Sequence, residues 1–207
     1  QQETTAATLA LALGTEDIMS VVDHLLNATG GRFALSNQYF KDGAGHESPS
    51  YNGIQIRDTA RLFDTLDDIR KLHPELYVPP RFVSPKQDPK FRLQYDFPLD
   101  FSLIGRTYPT VGDGGKGGPP TVLALGQGFP CKLAQWEDAY RLTGDPRFAQ
   151  AMYGPEGRQL QSIQDPTLRD AAEEAGQERG WQVTPLSGLL DGYGHAILRS
   201  CVGGEQR

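Results

Sequence analysis

The sequence predicts a mainly α-helical chain that turns to β-structure near its C-terminus, and three observations carry that expectation. Apolar residues recur at helical spacing behind recognisable helix starts in the first 72 residues. Thr143-Gly144-Asp145-Pro146 is a stop-and-restart signal, in which Gly ends one helix, Asp caps the next and Pro takes its first turn. After Gly180 the texture changes, and short runs read as strands. The expected division is therefore a helical domain over 1–180 and the opening of a β domain over 181–207.

In chain order, Thr15-Glu16-Asp17 supplies a hydroxyl N-cap followed by acids that complement a helix dipole. Ile18, Val22 and Leu25 then share a face, widened by Val21 and Leu26, and Gly30-Gly31 closes that helix. A second, long helix is expected from about Ser50 to Leu72. Ala60, Phe63 and Ile69 mark its apolar stripe, Leu62 and Leu66 widen it, and Asp58, Arg61, Asp64, Asp68 and Lys71 form its wet side. Residues 77–120, rich in Pro and Gly, read as a long irregular excursion with an extended patch from Phe97 to Leu103; loops of this length are usually functional. Helices resume around 130–142, where Leu133, Trp136 and Tyr140 share a face, and continue after the restart to about Tyr153. Asp165-Pro166 starts another, polar and largely solvated, to roughly Glu178. Trp181-Gln182-Val183 and Gly192 to Arg199 read as strands.

The 207 residues carry 20 basic and 26 acidic side chains, a net charge of −6, with 38% hydrophobic residues. That balance argues against a duplex nucleic-acid partner, which calls for a clustered basic face. It leaves room for a polyanionic sugar, because a few clustered Arg and Lys make a local positive groove. No apolar run approaches the ~20 residues of a membrane span. The first residues lack an initiating Met, a basic n-region and a signal h-region, so the expectation is a processed chain or a segment of a longer protein. Cys131 and Cys201 lie far apart without metal-ligand spacing, and the sequence leaves their bonding open.

Three segments carry chemistry. In the first, from Phe40 to Asn52, a glycine-rich turn delivers His46, Glu47 and Tyr51 to the start of a helix. Gly43 and Gly45 let the backbone approach a ligand closely, Ser48 or Ser50 is placed to cap, and Pro49 suits the first turn. A plain loop and N-cap with Tyr51 in the core accounts for the same spacing. The second, Gly105 to Gly115, puts Asp113 at the tip of a glycine turn, which is also ordinary turn chemistry. It lacks the GxxxxGK[ST] pattern of a phosphate loop, which excludes nucleotide binding of that kind. The third, Leu190 to Ser200, holds His195 on what reads as a plain opening strand.

Together these segments resemble the heparinase II/III-like polysaccharide lyases. The Asp42-Gly43 to Glu47-Ser48-Pro49-Ser50-Tyr51 stretch is similar to the family's tyrosine-bearing segment, and Gly112-Asp113-Gly114 to a GD-containing segment of its larger members. Trp136 to Arg147 resembles the helix-and-turn of its toroids, and Gly192 to Ser200 the strand that opens its β-sandwich. The resemblance implies part of an incomplete (α/α) toroid followed by the start of an antiparallel β-sandwich, in a secreted or periplasmic protein. The implied reaction is β-elimination at a uronic acid in an acidic polysaccharide or oligosaccharide, with Tyr51 as the catalytic phenol. His46, Glu47, Asn52, Arg106 and Asp113 are the candidates for binding substrate. Arg106 can pair with a carboxylate through its planar fork or serve as an exposed structural residue. Glu47 fits the organisation of its loop better than direct action on substrate. His24 and His73 read as ordinary helix or helix-end residues.

The family's set also calls for an Asn or His on an earlier helix and a His from the β-sandwich. Both are expected outside this chain, in the remainder of the parent polypeptide, as is the structural metal of some members. No metal or cofactor is assigned to the chain itself. Two other readings stay open: an inverting glycoside hydrolase using Glu47 and Asp113, whose carboxyls would need to stand roughly 6.5–9.5 Å apart, and a non-catalytic extracellular glycan-binding protein that retains the fold alone.

Overall fold

The structure, a computed structural model, describes residues 2–24, 39–46, 49–76, 86, 89–102, 132–181, 183, 187–198, 201–202 and 205–206. It is mainly helical. The helices are α1 (Gln2–Leu13), α2 (Glu16–His24), α3 (Pro49–Leu72), α4 (Pro89–Asp100), α5 (Leu133–Thr143), α6 (Pro146–Tyr153) and α7 (Pro166–Arg179). Two short antiparallel pairs follow, β1 (Gly188–Leu190) with β2 (His195–Ile197), and β3 (Cys201–Val202) with β4 (Glu205–Gln206). Packing runs mostly between sequence neighbours: α1 lies on α2 and α3, and α3 to α6 each meet the next helix. Among the described residues no helix is long and apolar enough to cross a membrane.

The long helix α3 forms where its periodicity requires. Ile56, Ala60, Phe63, Leu66 and Ile69 repeat at three- and four-residue steps, and all are buried. Helix α1 has no such stripe, since its apolar residues are spread around it. Its alanines favour helix intrinsically, and the buried Ala7 and Ala10 are small enough for close approach to α3. Gly14, at φ 58°, ends α1, and the His73 ring lies over it. The ring's Nε2 stands 3.2 Å from the Leu11 carbonyl, so the helix-end histidine ties the close of α3 to the close of α1.

Helix α4 corrects the reading of 77–120 as irregular throughout and of Phe97 onward as extended. Pro98 lies inside this helix and cannot donate to the Gln94 carbonyl. The loss falls in the last turn, and burial outweighs it. Phe91, Tyr95 and Leu99, each one helical turn apart, are all at most 1% exposed. Phe91 meets Phe63 edge-on at 5.0 Å and Tyr95 at 5.5 Å, while Tyr95 meets Phe148 of α6 at 6.5 Å.

The restart after α5 is built as the sequence implies. Gly144 is left-handed at φ 66° and its N–H reaches the Tyr140 carbonyl, while the Asp145 carboxylate accepts the Arg147 N–H at 2.9 Å with Pro146 in the first turn. Arg147 also pairs with Asp96 of α4 at 2.7 Å, which joins the cap to the neighbouring helix. Burial works to raise the Asp145 carboxyl, but hydrogen bonds from Arg147, with the charges of Arg147 and Arg92, outweigh it and hold the group below the usual carboxylate range.

Helix α7 carries more core than its polar sequence suggests. Leu168, Ala172, Ala175 and Gly176 are buried, and a side chain at Gly176 would strike the Tyr153 ring. The strand readings are corrected in part, since within Gly192 to Arg199 only His195–Ile197 is a strand among the described residues. Residues 191–194 form a turn that reverses the chain between β1 and β2, with Gly194 at φ 79° donating to the Leu190 carbonyl at 2.8 Å. Trp181 and Val183 lie outside any strand, and Val183 is buried in the helical core. The stop at Gly30-Gly31, the segment 105–115 and Cys131 lie outside the described residues.

Phe63→Ala is expected to lower stability by about 3–5 kcal/mol, measured by chemical denaturation. Asp145→Asn keeps a capping oxygen but removes the charge. Because the folded group titrates below its unfolded value, its stabilisation is present above about pH 4 and is lost as pH falls through the folded value. The stability gap between wild type and Asp145→Asn should therefore be full at neutral pH and close in acid; a gap that widened in acid would contradict this sign.

Candidate active site

The site grows from the bend at 39–46, which is folded on itself and held from three sides. Internally, the Phe40 N–H donates to the Ala44 carbonyl at 2.8 Å and the Gly43 N–H to the Phe40 carbonyl at 3.0 Å, beneath a bridge between Tyr39 and Gly45. Helix α4 supplies one clamp. Gly43, at φ 84°, runs so close to it that a Cβ would sit 2.1 Å from the Leu93 carbonyl oxygen, and Lys90 Nζ donates to the Tyr39 carbonyl at 3.0 Å. Only glycine meets both demands at position 43.

The first turn of α3 supplies the second clamp. Asn52 Oδ1 accepts the Gly45 N–H at 2.7 Å, and the Asn52 side chain is 1% exposed. A Cβ on Gly45 would fall 2.3 Å from that oxygen and 2.4 Å from Gln55 Oε1. Asn52, expected to bind substrate, thus lies beneath the bend and shapes it. From the far side, Gln135 of α5 donates to the Gly53 carbonyl at 2.5 Å, so this turn is fixed on both flanks.

The β1–β2 turn supplies the third clamp. Asp42 Oδ2 accepts the Tyr193 N–H at 2.8 Å, and Lys41 pairs with Asp191. Phe97 of α4 and Phe101 just past its end, with Ala44, Leu190 and Ile197, make a small apolar core under this junction. Rings continue across it: His46 stacks on Phe40 at 4.5 Å, Phe40 meets Tyr193 at 6.0 Å, and Tyr193 stacks on His195 at 5.0 Å. The first and third segments singled out in the sequence are therefore one site. The sequence reading missed Asp42 as their fastener and Tyr193 as their shared ring. An acid in a glycine turn was the available signal, but nothing local says which distant amide it accepts.

Exposure separates the phenols. Tyr39 is 4% exposed, and burial pushes it up to about 12, with the neighbouring Thr59 side chain working against that and the charge of Asp58 with it. Burial also raises half-buried Tyr193, helped by the Asp42 charge. Tyr51, on the first turn of α3, is 39% exposed, which removes the reading that packs it in the core. His46 is exposed too. An imidazole and an accessible phenol thus flank the Gly45–Asn52 fastening, beside a ring platform. Such a set can donate or accept protons at a bound sugar.

Glu47, Arg106 and Asp113 lie outside the described residues, and with them the carboxylate pair of the hydrolase reading. A different pair, Asp64 and Asp138, faces a hollow of about 430 Å³ with Lys86 and Arg141. Burial and the Asp64 charge raise Asp138, while Arg141 and Lys86 oppose them. Lys86 pairs with Asp64 and Arg141 with Asp138 at 3.6 Å, which makes this a neutralised network. Among the described residues, no group of three or more His, Cys, Asp or Glu stands together to hold a metal ion.

Asn52→Ala would leave the buried Gly45 N–H without its acceptor and is expected to cost about 1–3 kcal/mol. Hydrogen exchange at the Gly45 amide should accelerate in this variant; unchanged protection would show that the bend does not depend on Asn52. No family model, no curated protein and no solved structure matches the chain, so its functional reading rests on these residues and their geometry.

Proposed function

We propose that this chain is part of a polysaccharide lyase that cleaves uronic-acid-containing polysaccharide by β-elimination, on an (α/α) toroid that continues into a β-sandwich. One observation supports it above the others: the exposed Tyr51 phenol stands on the first turn of α3, immediately behind the bend that presents His46. The reading also rests on the likeness of the 42–51 stretch to the family's tyrosine-bearing segment. A secreted or periplasmic location follows from that likeness and belongs to the same proposal.

The chemistry explains why such groups are useful. The proton α to a uronate carboxylate is weakly acidic, because removing it builds charge on a group already negative. A donor or cation at the carboxylate must offset that charge, as an oxyanion site does. His46, exposed at the edge of the ring platform, is the described group suited to this. A base then takes the proton, the electron pair forms a carbon–carbon double bond, the glycosidic C–O bond breaks, and the leaving oxygen is protonated. Tyr51 is assigned the proton transfers: a phenolate accepts, and the phenol so formed can donate. The rings of Phe40 and Tyr193 offer an apolar surface for a sugar face.

The test is the product, since elimination leaves a double bond conjugated to the carboxylate that absorbs in the ultraviolet. The parent polypeptide incubated with polyuronates should generate this absorbance, and Tyr51→Phe should reduce its rate by about 10²-fold or more. New reducing ends without the chromophore would replace the lyase with a hydrolase. Retention of acidic glycans with no cleavage would identify a binding protein.

A further inference from the structure

We infer that the cleft between α1 and α3 is a binding subsite for an acidic carbohydrate chain, centred on Arg61. The inference rests on the lyase reading for its choice of ligand, though not for the existence of the cleft. The hollow measures about 580 Å³ and is lined by Thr5 and Thr8 from α1 and by Arg57, Asp58, Arg61 and Thr65 from α3. That volume lies within the ordinary range for small-molecule sites.

Helix periodicity connects the cleft to Tyr51. Counting along α3, Tyr51, Ile54, Asp58, Arg61 and Thr65 succeed one another at steps of three, four, three and four residues, so they lie along one face. At 1.5 Å per residue, the ten positions from Tyr51 to Arg61 span about 15 Å, more than one sugar ring. Tyr51 and Ile54 are exposed at the upper end of this face. An extended chain with one residue at Tyr51 would therefore lay its neighbours into the cleft.

The lining selects the ligand. Arg57 is occupied by Asp58 at 3.0 Å, and Asp64, which also lines the cleft, is taken by Lys86. Arg61 is exposed and makes no ion pair among the described residues, so its fork is open to a carboxylate. Among the described residues, the lining carries no large apolar side chain of the kind that a lipid or peptide anchor would need. Asp58 and Asp64 beside the arginines disfavour a phosphate polymer, whose charges are denser than those of a uronate chain.

The experiment titrates wild-type protein and Arg61→Gln with a galacturonate hexamer and, separately, with its methyl-esterified, neutral counterpart. Arg61→Gln should weaken binding of the acidic hexamer about tenfold, as for loss of one charge-assisted hydrogen bond, and leave the neutral one unaffected. Arg61→Lys should recover part of the affinity. Where elimination is measurable, KM for the acidic chain should rise with kcat unchanged, because Arg61 stands away from the reacting bond. Equal affinity of wild type and Arg61→Gln for the acidic hexamer would overturn the subsite and leave the lyase reading intact. Arg61-dependent binding, with no chromophore formed by the parent polypeptide, would uphold the subsite and reject the lyase. An unchanged melting temperature in Arg61→Gln identifies the loss as one of binding.

Discussion

The burial of helix α4 through Phe91 and Tyr95 is the constraint on which the rest of the site depends. Phe91 is wedged against Phe63 of α3, and Tyr95 reaches Phe148 of α6, so the helix is fixed against both neighbours. The same helix carries the Leu93 carbonyl under which Gly43 passes, the Lys90 amine that holds the Tyr39 carbonyl, and Phe97, which with Phe101 just past the helix end packs on Tyr193. Core packing and site geometry are thus two consequences of one seated helix. Large aromatic rings suit this task because each buries much area in a fixed orientation.

From that base, three chemically different fastenings shape the bend. A steric one at Gly43 admits no side chain, a buried hydrogen bond at Gly45 requires an acceptor on α3, and a carboxylate at Asp42 captures an amide of the β turn. A polar group enclosed with its partner costs far more to disturb than one at the surface, so Asn52 and Asp42 act as locators of geometry. They leave His46 and Tyr51 outward-facing, which is how groups that exchange protons with a substrate must stand. Tyr39 shows the opposite outcome for the same side-chain type: enclosed, it stays a neutral phenol.

Charge is arranged with similar economy. Most described ion pairs lie at the surface and contribute little individually. Arg147 differs, because one guanidinium serves the Asp145 cap and the Asp96 carboxylate together, fixing the restart of α6 against α4. On α3, Asp64 is drawn toward Lys86 while Arg61, one turn away on the same flank, is left facing the cleft against α1. An acidic protein can in this way keep a local cation for an acidic ligand.

The sequence by itself determined the elements whose signals are local. The long helix α3 follows from its three-four spacing, and the Thr143-Gly144-Asp145-Pro146 junction from the backbone preferences of Gly, Asp and Pro. The start of α7 at Asp165-Pro166 was equally legible, and so was the importance of a glycine-rich bend before Tyr51. Tertiary structure alone decided the rest. Helix α4 was hidden by Pro98, because its helicity comes from burying Phe91, Tyr95 and Leu99 against partners far along the chain; α1 was hidden because its apolar residues follow no stripe. The meeting of Asp42 with Tyr193, 151 positions apart, and the enclosure of Asn52 belong to the same class. Local propensity is written in neighbouring residues, but which side chain is buried, and against what, is set only when distant segments compete for the same core.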